Sequence, residues 1–155
     1  MRALTIRQPW ATLIALGEKR LETRGRRTHI RGELAIHAGK EIDREACERD
    51  PIKSTLAKHG YTADNLPTGV VIAIAELTGS YRIYNTIDNG THIVRCPDNK
   101  YNFENVVYIN RNERAFGWYE EGRHAWELEN VKQIEPIPAK GQQGFWHFEV
   151  VGGTT

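Results

Sequence analysis

The sequence predicts an α+β domain, a mixed antiparallel sheet or small barrel with helices packed outside it. Three observations lead there. Runs of β-branched and aromatic residues outnumber helical patterns. No regular strand–helix–strand alternation appears, which argues against a parallel α/β sheet. One run, GVVIAIAEL at 69–77, is so continuously apolar that it reads as a strand covered on both faces.

The elements follow in order. Residues 3–6, ALTI, read as a short strand, and Pro9 suits the first turn of a helix because its missing N–H costs nothing there. Trp10, Leu13 and Ile14 recur at helical spacing, with Gly17 as the stop. Residues 20–24 and 33–38 (ELAIHA) are extended, joined by a basic loop. Residues 42–59 form one or two polar helices interrupted at Pro51. Residues 79–110 carry paired strands around the turn signal Asn89-Gly90, and 124–134 and 144–150 complete the strand set. One domain over 1–150 is expected, with a frayed tail at 151–155.

Composition narrows the function classes. Charged residues make up 26% and hydrophobic ones 39%, as in ordinary globular chains. No run is long enough to span a membrane, and no basic-then-apolar leader opens the chain. Cys47 and Cys96 are too few for a disulfide framework, and the six histidines lack metal-ligand spacing. A cytoplasmic protein without metal or cofactor is the expectation, its oligomeric state left open. The net charge of +1 gives no global attraction to nucleic acid, so any such attraction must be local.

Such a local charge exists. Glu18 to Arg31 holds six Lys or Arg (Lys19, Arg20, Arg24, Arg26, Arg27, Arg31) against two Glu. It is either a phosphate-binding patch or a solubilising face. Glu76 ends the apolar run VVIAIA: either the strand emerges into water there, or the carboxylate is buried or faces a cleft and needs a cation, for which Lys19 and Arg24 are candidates. On an extended segment 20–24, Arg20, Glu22 and Arg24 share one face. Trp10, and Trp118 with Tyr119, lie beside cations as base stacking requires, whereas Trp126 and Trp146 read as core. His37 reads as a structural, hydrogen-bonded histidine.

RQPW (7–10), GEKRLETR (17–24), HAGK (37–40), Glu76 within AIAELTG and KGQQGFW (140–146) together resemble the ASCH domain family of the PUA-like superfamily. The resemblance implies a small mixed β-barrel with helices packed around it. It also implies a cleft lined by Trp10, Lys19, Glu22, Arg24 and Glu76, and RNA or a nucleoside or nucleotide as partner. Arg24, Arg26, Arg27 and Arg31 would then contact the nucleic acid. One branch of the family hydrolyses acetylcytidine, and its pattern places a catalytic Lys at Lys19, a nucleophilic Thr at position 22 and a catalytic Glu at Glu76. Here position 22 is Glu, which can act as a base on water but supplies no hydroxyl nucleophile. Three readings follow: an RNA- or nucleotide-binding module, a small hydrolase or ribonuclease using Lys19, Glu22 and Glu76, and a protein-interaction adaptor.

Overall fold

The structure is a computed structural model, and it describes residues 1–86, 90–95 and 106–149. The expected Asn89-Gly90 turn lies partly outside these residues; Cys96 and the tail 151–155 lie wholly outside. Among the described residues eight strands and four helices follow in the order β1 (Arg2–Gln8), α1 (Trp10–Ala15), β2 (Leu21–Arg24), β3 (Gly32–Ile42), α2 (Arg44–Cys47), α3 (Ile52–Lys58), β4 (Val70–Thr86), β5 (Gly90–Arg95), β6 (Val106–Tyr108), α4 (Arg111–Ala115), β7 (His124–Pro138) and β8 (Phe145–His147). They build one mixed sheet in the order β2-β7-β4-β3-β1-β8, with β5 and β6 extending from the far half of β4. Among the described residues only β1 and β3 run parallel.

The α+β class and the mixed sheet are as expected, but among the described residues the sheet is not closed into the small barrel that the family resemblance implied. Among the described residues β2 and β8 end the path and do not pair with each other. The sheet nevertheless curls. Trp126 on β7 stacks on Phe145 on β8 with ring centroids 5.3 Å apart. Side chains meet across the gap that backbone hydrogen bonds leave open.

Helix α1 has six residues, too few to be stable alone. Two things hold it. Leu13 and Ile14 are fully buried, an effect of about 1.5–3 kcal/mol for each side chain. The buried Gln8 side chain accepts from Thr12 N at 2.9 Å and donates to Pro67 O at 2.7 Å, tying the helix start to a distant loop. At the other end Gly17 N donates to Ile14 O and Glu18 N to Leu13 O, the paired bonds of a Schellman termination. Gly17 takes φ +76°, the left-handed conformation that this ending needs.

The polar stretch 42–59 splits into α2 and α3 around Pro51, as expected. Helices α1, α2 and α3 share a core of Leu13, Ala46, Cys47, Ile52 and Leu56, closed by Phe116. A second core packs α1 against the sheet through Leu4, Ile6, Leu34, Ile36, Ala73 and Ala75. A third, on the other face, joins Ala3, Val71, Trp146 and Phe148. Trp126 and Trp146 are buried, as the sequence suggests. His37 is also buried, its Nε2 donating to Ala139 O at 2.7 Å while Nδ1 lies 3.1 Å from Thr5 Oγ1. It is a structural histidine in its contacts.

A Gly17→Ala variant tests the helix ending. A Cβ at position 17 would meet nothing within 4 Å, so only left-handed strain would be added. The expected loss is about 1 kcal/mol of unfolding free energy in a denaturant titration. An unchanged midpoint would show that the chain ends α1 by other means.

Candidate functional site

The turn after Gly17 carries Lys19 inward. Lys19 N donates to Leu13 O, and the side chain runs into the interior, where the residue is 1% exposed. Its Nζ donates to Leu21 O at 2.5 Å and to Phe116 O at 2.9 Å. The ammonium thus joins the start of β2 to the end of α4, where Phe116 lies 97 residues after Lys19. Burial holds it below the ordinary lysine value, while the nearby Glu22 and Glu113 oppose that shift.

Strand β2 then presents Glu22 and Arg24 on one face, as alternation predicts. Arg24 donates through Nε and Nη2 to Glu22 Oε2 at 3.1 and 2.9 Å. Nη2 also donates to Thr5 O on β1 at 3.2 Å, and the guanidinium lies 5.7 Å from the Trp126 ring centroid. Arg24 therefore spans β2 and β1, which share no ladder. Glu22 Oε1 faces Lys19 Nζ at 3.9 Å. A buried carboxylate between two cations is the arrangement that compensates its desolvation.

These residues line a cavity of about 620 Å³, within the size range of small-molecule sites. Its walls come from Thr5–Arg7 on β1, Trp10, Lys19, the Glu22–Arg24 segment, Arg49–Ile52 between α2 and α3, Ala115–Trp118 and Arg123. Five cations face two carboxylates, Glu22 and Asp50. Arg7 lies over Trp10 at 5.9 Å and Arg123 over Trp118 at 4.0 Å. The cavity is basic and carries two tryptophans.

Four of the five residues expected in the cleft come together: Trp10, Lys19, Glu22 and Arg24. Glu76 does not. It is exposed in a separate depression with Glu33, Ile74, Asn130 and Lys132, and accepts from Asn130 Nδ2 at 3.1 Å. The physical reason lies in β4. Ala73, Ala75 and Leu77 point into the core with α1, so Glu76 points the other way, past the third core's cover over Val71 and Ile74. The apolar run is covered on two faces only up to that point. Glu76 faces Glu33 and Glu129 across the ladders, a like-charge row that exposure to water makes tolerable. The expected Lys19–Glu76 catalytic pair is therefore not formed.

The basic loop is also set apart. Arg26, Arg27 and Arg31 are exposed, and none lines the cavity. Arg31 Nη1 donates to Thr28 O and Ile30 O, so part of its donor capacity is spent locally.

Sequence reasoning missed Arg7, Arg49, Asp50 and Arg123 in the cavity wall, and Glu113 behind it. Glu113 accepts from Arg20 N through Oε1, while its buried Oε2 has no hydrogen-bond partner. Burial raises its pKa, and the Arg20 backbone bond and Lys19 work against the rise. A signal for α4 existed: Asn110 followed three residues later by Glu113 is a cap pattern, and Asn110 Oδ1 accepts from Glu113 N at 2.8 Å. Nothing local marks the distant arginines. Among the described residues no group of three His, Cys, Asp or Glu side chains could hold a metal, and no helix is long and apolar enough to cross a membrane.

Fold and site together define a mixed α+β domain with a basic, tryptophan-bearing cleft beside the edge strand β2. The ASCH domain model matches residues 4–138, and the chain belongs to that family. Among solved structures it is similar to one described as the crystal structure of ASCH from Zymomonas mobilis, at 18% identity and a TM-score of 0.46, over 88% of this chain and 72% of that one. No curated protein matches the chain.

The Glu113 carboxyl gives a pH test. A carboxyl with a raised folded pKa binds a proton more tightly in the folded state, so its contribution to stability increases as pH falls through the window above the unfolded value. The stability difference between wild type and Glu113→Gln should therefore move in favour of the wild type as pH is lowered from neutral toward that window. Denaturant midpoints across pH would check this. A difference moving the other way would mean that the carboxylate is stabilised, not penalised, where it lies.

Proposed function

We propose that this domain is an RNA- or nucleotide-binding module whose cleft admits a base together with its phosphate. One observation carries the reading: the cavity holds a buried Glu22 paired with a half-buried Arg24 beside Arg7, Arg49, Arg123, Trp10 and Trp118. Arginines suit phosphate, tryptophans suit base faces, and a buried carboxylate with an adjacent guanidinium suits a base edge. RNA binding is also what family membership leads one to expect. The hydrolase reading lacks a comparable arrangement. Lys19 spends two donors on main-chain carbonyls, Glu22 Oε2 accepts both Arg24 bonds, and Glu76 lies in another depression. The site binds polar groups without an activated nucleophile.

Binding of short single-stranded RNA, read by fluorescence anisotropy over a salt series, tests the proposal. Arg24→Ala should weaken binding about ten-fold or more at fixed salt. Neutralising Arg26, Arg27 and Arg31 together should cost less at high salt but reduce the salt slope by about 2, if all three contact phosphates. Undiminished binding by a folded Arg24→Ala protein would remove the cleft from the interaction.

A second measurement addresses catalysis. Acetylcytidine incubated with the purified protein should remain intact over hours. Release of acetate that disappears in Lys19→Ala would make the hydrolase reading the better one.

A further inference from the structure

Trp118 is 62% exposed, the most exposed large apolar residue described, yet its position is closely determined. Its N–H donates to Thr23 Oγ1 at 3.0 Å, and its carbonyl accepts from Arg123 Nε at 3.1 Å. Arg123 Nη2 reaches Thr23 O at 3.4 Å, so the same arginine ties the tryptophan segment to β2. Just before it, a Cβ on Gly117 would lie 2.8 Å from the Tyr119 ring and 3.1 Å from the Thr23 methyl, so the backbone there is tightly packed. An exposed tryptophan at a solvated loop needs none of these restraints. With Arg123 stacked 4.0 Å from its ring centroid, one face is occupied and the other is left for a planar ligand.

The neighbouring residue on β2 supplies a second element. Both Arg24 bonds to Glu22 go to Oε2, while Oε1 lies beyond hydrogen-bond range of Lys19 at 3.9 Å, and Glu22 lines the same cavity as Trp118. Among the described residues no hydrogen bond reaches Oε1, so it can accept one from a ligand. Cytosine, adenine and guanine carry an exocyclic amine that can donate to it. Uracil offers only an N–H between two carbonyl oxygens, which the carboxylate would repel.

We infer that Trp118 is the stacking platform for a nucleobase in this cleft, and that Glu22 Oε1 selects a base bearing an exocyclic amine over uracil. This rests on the nucleotide-binding reading of the same cleft. The test compares short oligo(rA), oligo(rC) and oligo(rU) by anisotropy, with circular dichroism to confirm folding. The wild type should prefer oligo(rC) and oligo(rA) over oligo(rU) by about ten-fold. Trp118→Ala should weaken all three by about ten-fold or more, and Trp118→Phe by less, because an aromatic face remains. Glu22→Gln should narrow the preference against oligo(rU), since its amide can also donate to a uracil carbonyl. Wild-type-like affinity in Trp118→Ala alongside weakened binding in Arg24→Ala would overturn the platform and leave the cleft reading standing. Equal wild-type affinity for oligo(rC) and oligo(rU) would overturn the selection by Glu22. Failure of the wild type to bind any of the three would overturn the cleft reading, and this inference with it.

Discussion

The buried ammonium of Lys19 is the interaction on which the cleft depends. A lysine in the interior is tolerated only when its donors are used and a countercharge is near. Here Leu21 O and Phe116 O take two donors, and Glu22 and Glu113 provide negative charge. Because those carbonyls belong to β2 and to the end of α4, satisfying one side chain fixes the distance between two walls of the cavity. Glu113 reinforces this from behind by accepting from Arg20 N. The buried charges act as spacers between segments that share no ladder.

Arg24 does the corresponding work across the open side of the sheet. By bonding Glu22 on its own strand and Thr5 O on β1, it bridges two strands that share no ladder, beside the side of the sheet where β2 and β8 do not pair. A side-chain bridge leaves room that a ladder would fill. The cavity lies where that closure is missing, and its polarity follows from what makes the bridge. The same arrangement argues against strong activation of either group, because Glu22 Oε2 already accepts both Arg24 bonds.

Much of the fold was legible. Alternation marked β1, and strand-like runs marked β2, β3 and β7; helical spacing with a terminal glycine marked α1; Pro51 marked the break between α2 and α3. These signals are local, set by backbone geometry over a few residues. The small helix α4 went unread despite its Asn110 cap, because five residues give too short a periodicity to stand out. Glu76 shows the opposite limit. Its place in an apolar run identified the strand correctly, but burial depends on what covers each face, and that cover is supplied by β8 and the end of β7 far along the chain.

The sequence by itself determined the α+β class, the end of α1 at Gly17, and the shared face of Glu22 and Arg24. Each follows from local conformational preference or from the two-residue repeat of a strand. Only the tertiary structure decided that Lys19 is buried, that Glu76 is not its partner, and that Arg7, Arg49, Trp118 and Arg123 complete the wall. The physical reason is that charge compensation acts through space. Which cation meets which carboxylate is settled by sheet curl and helix packing, and these bring together residues that no spacing along the chain relates.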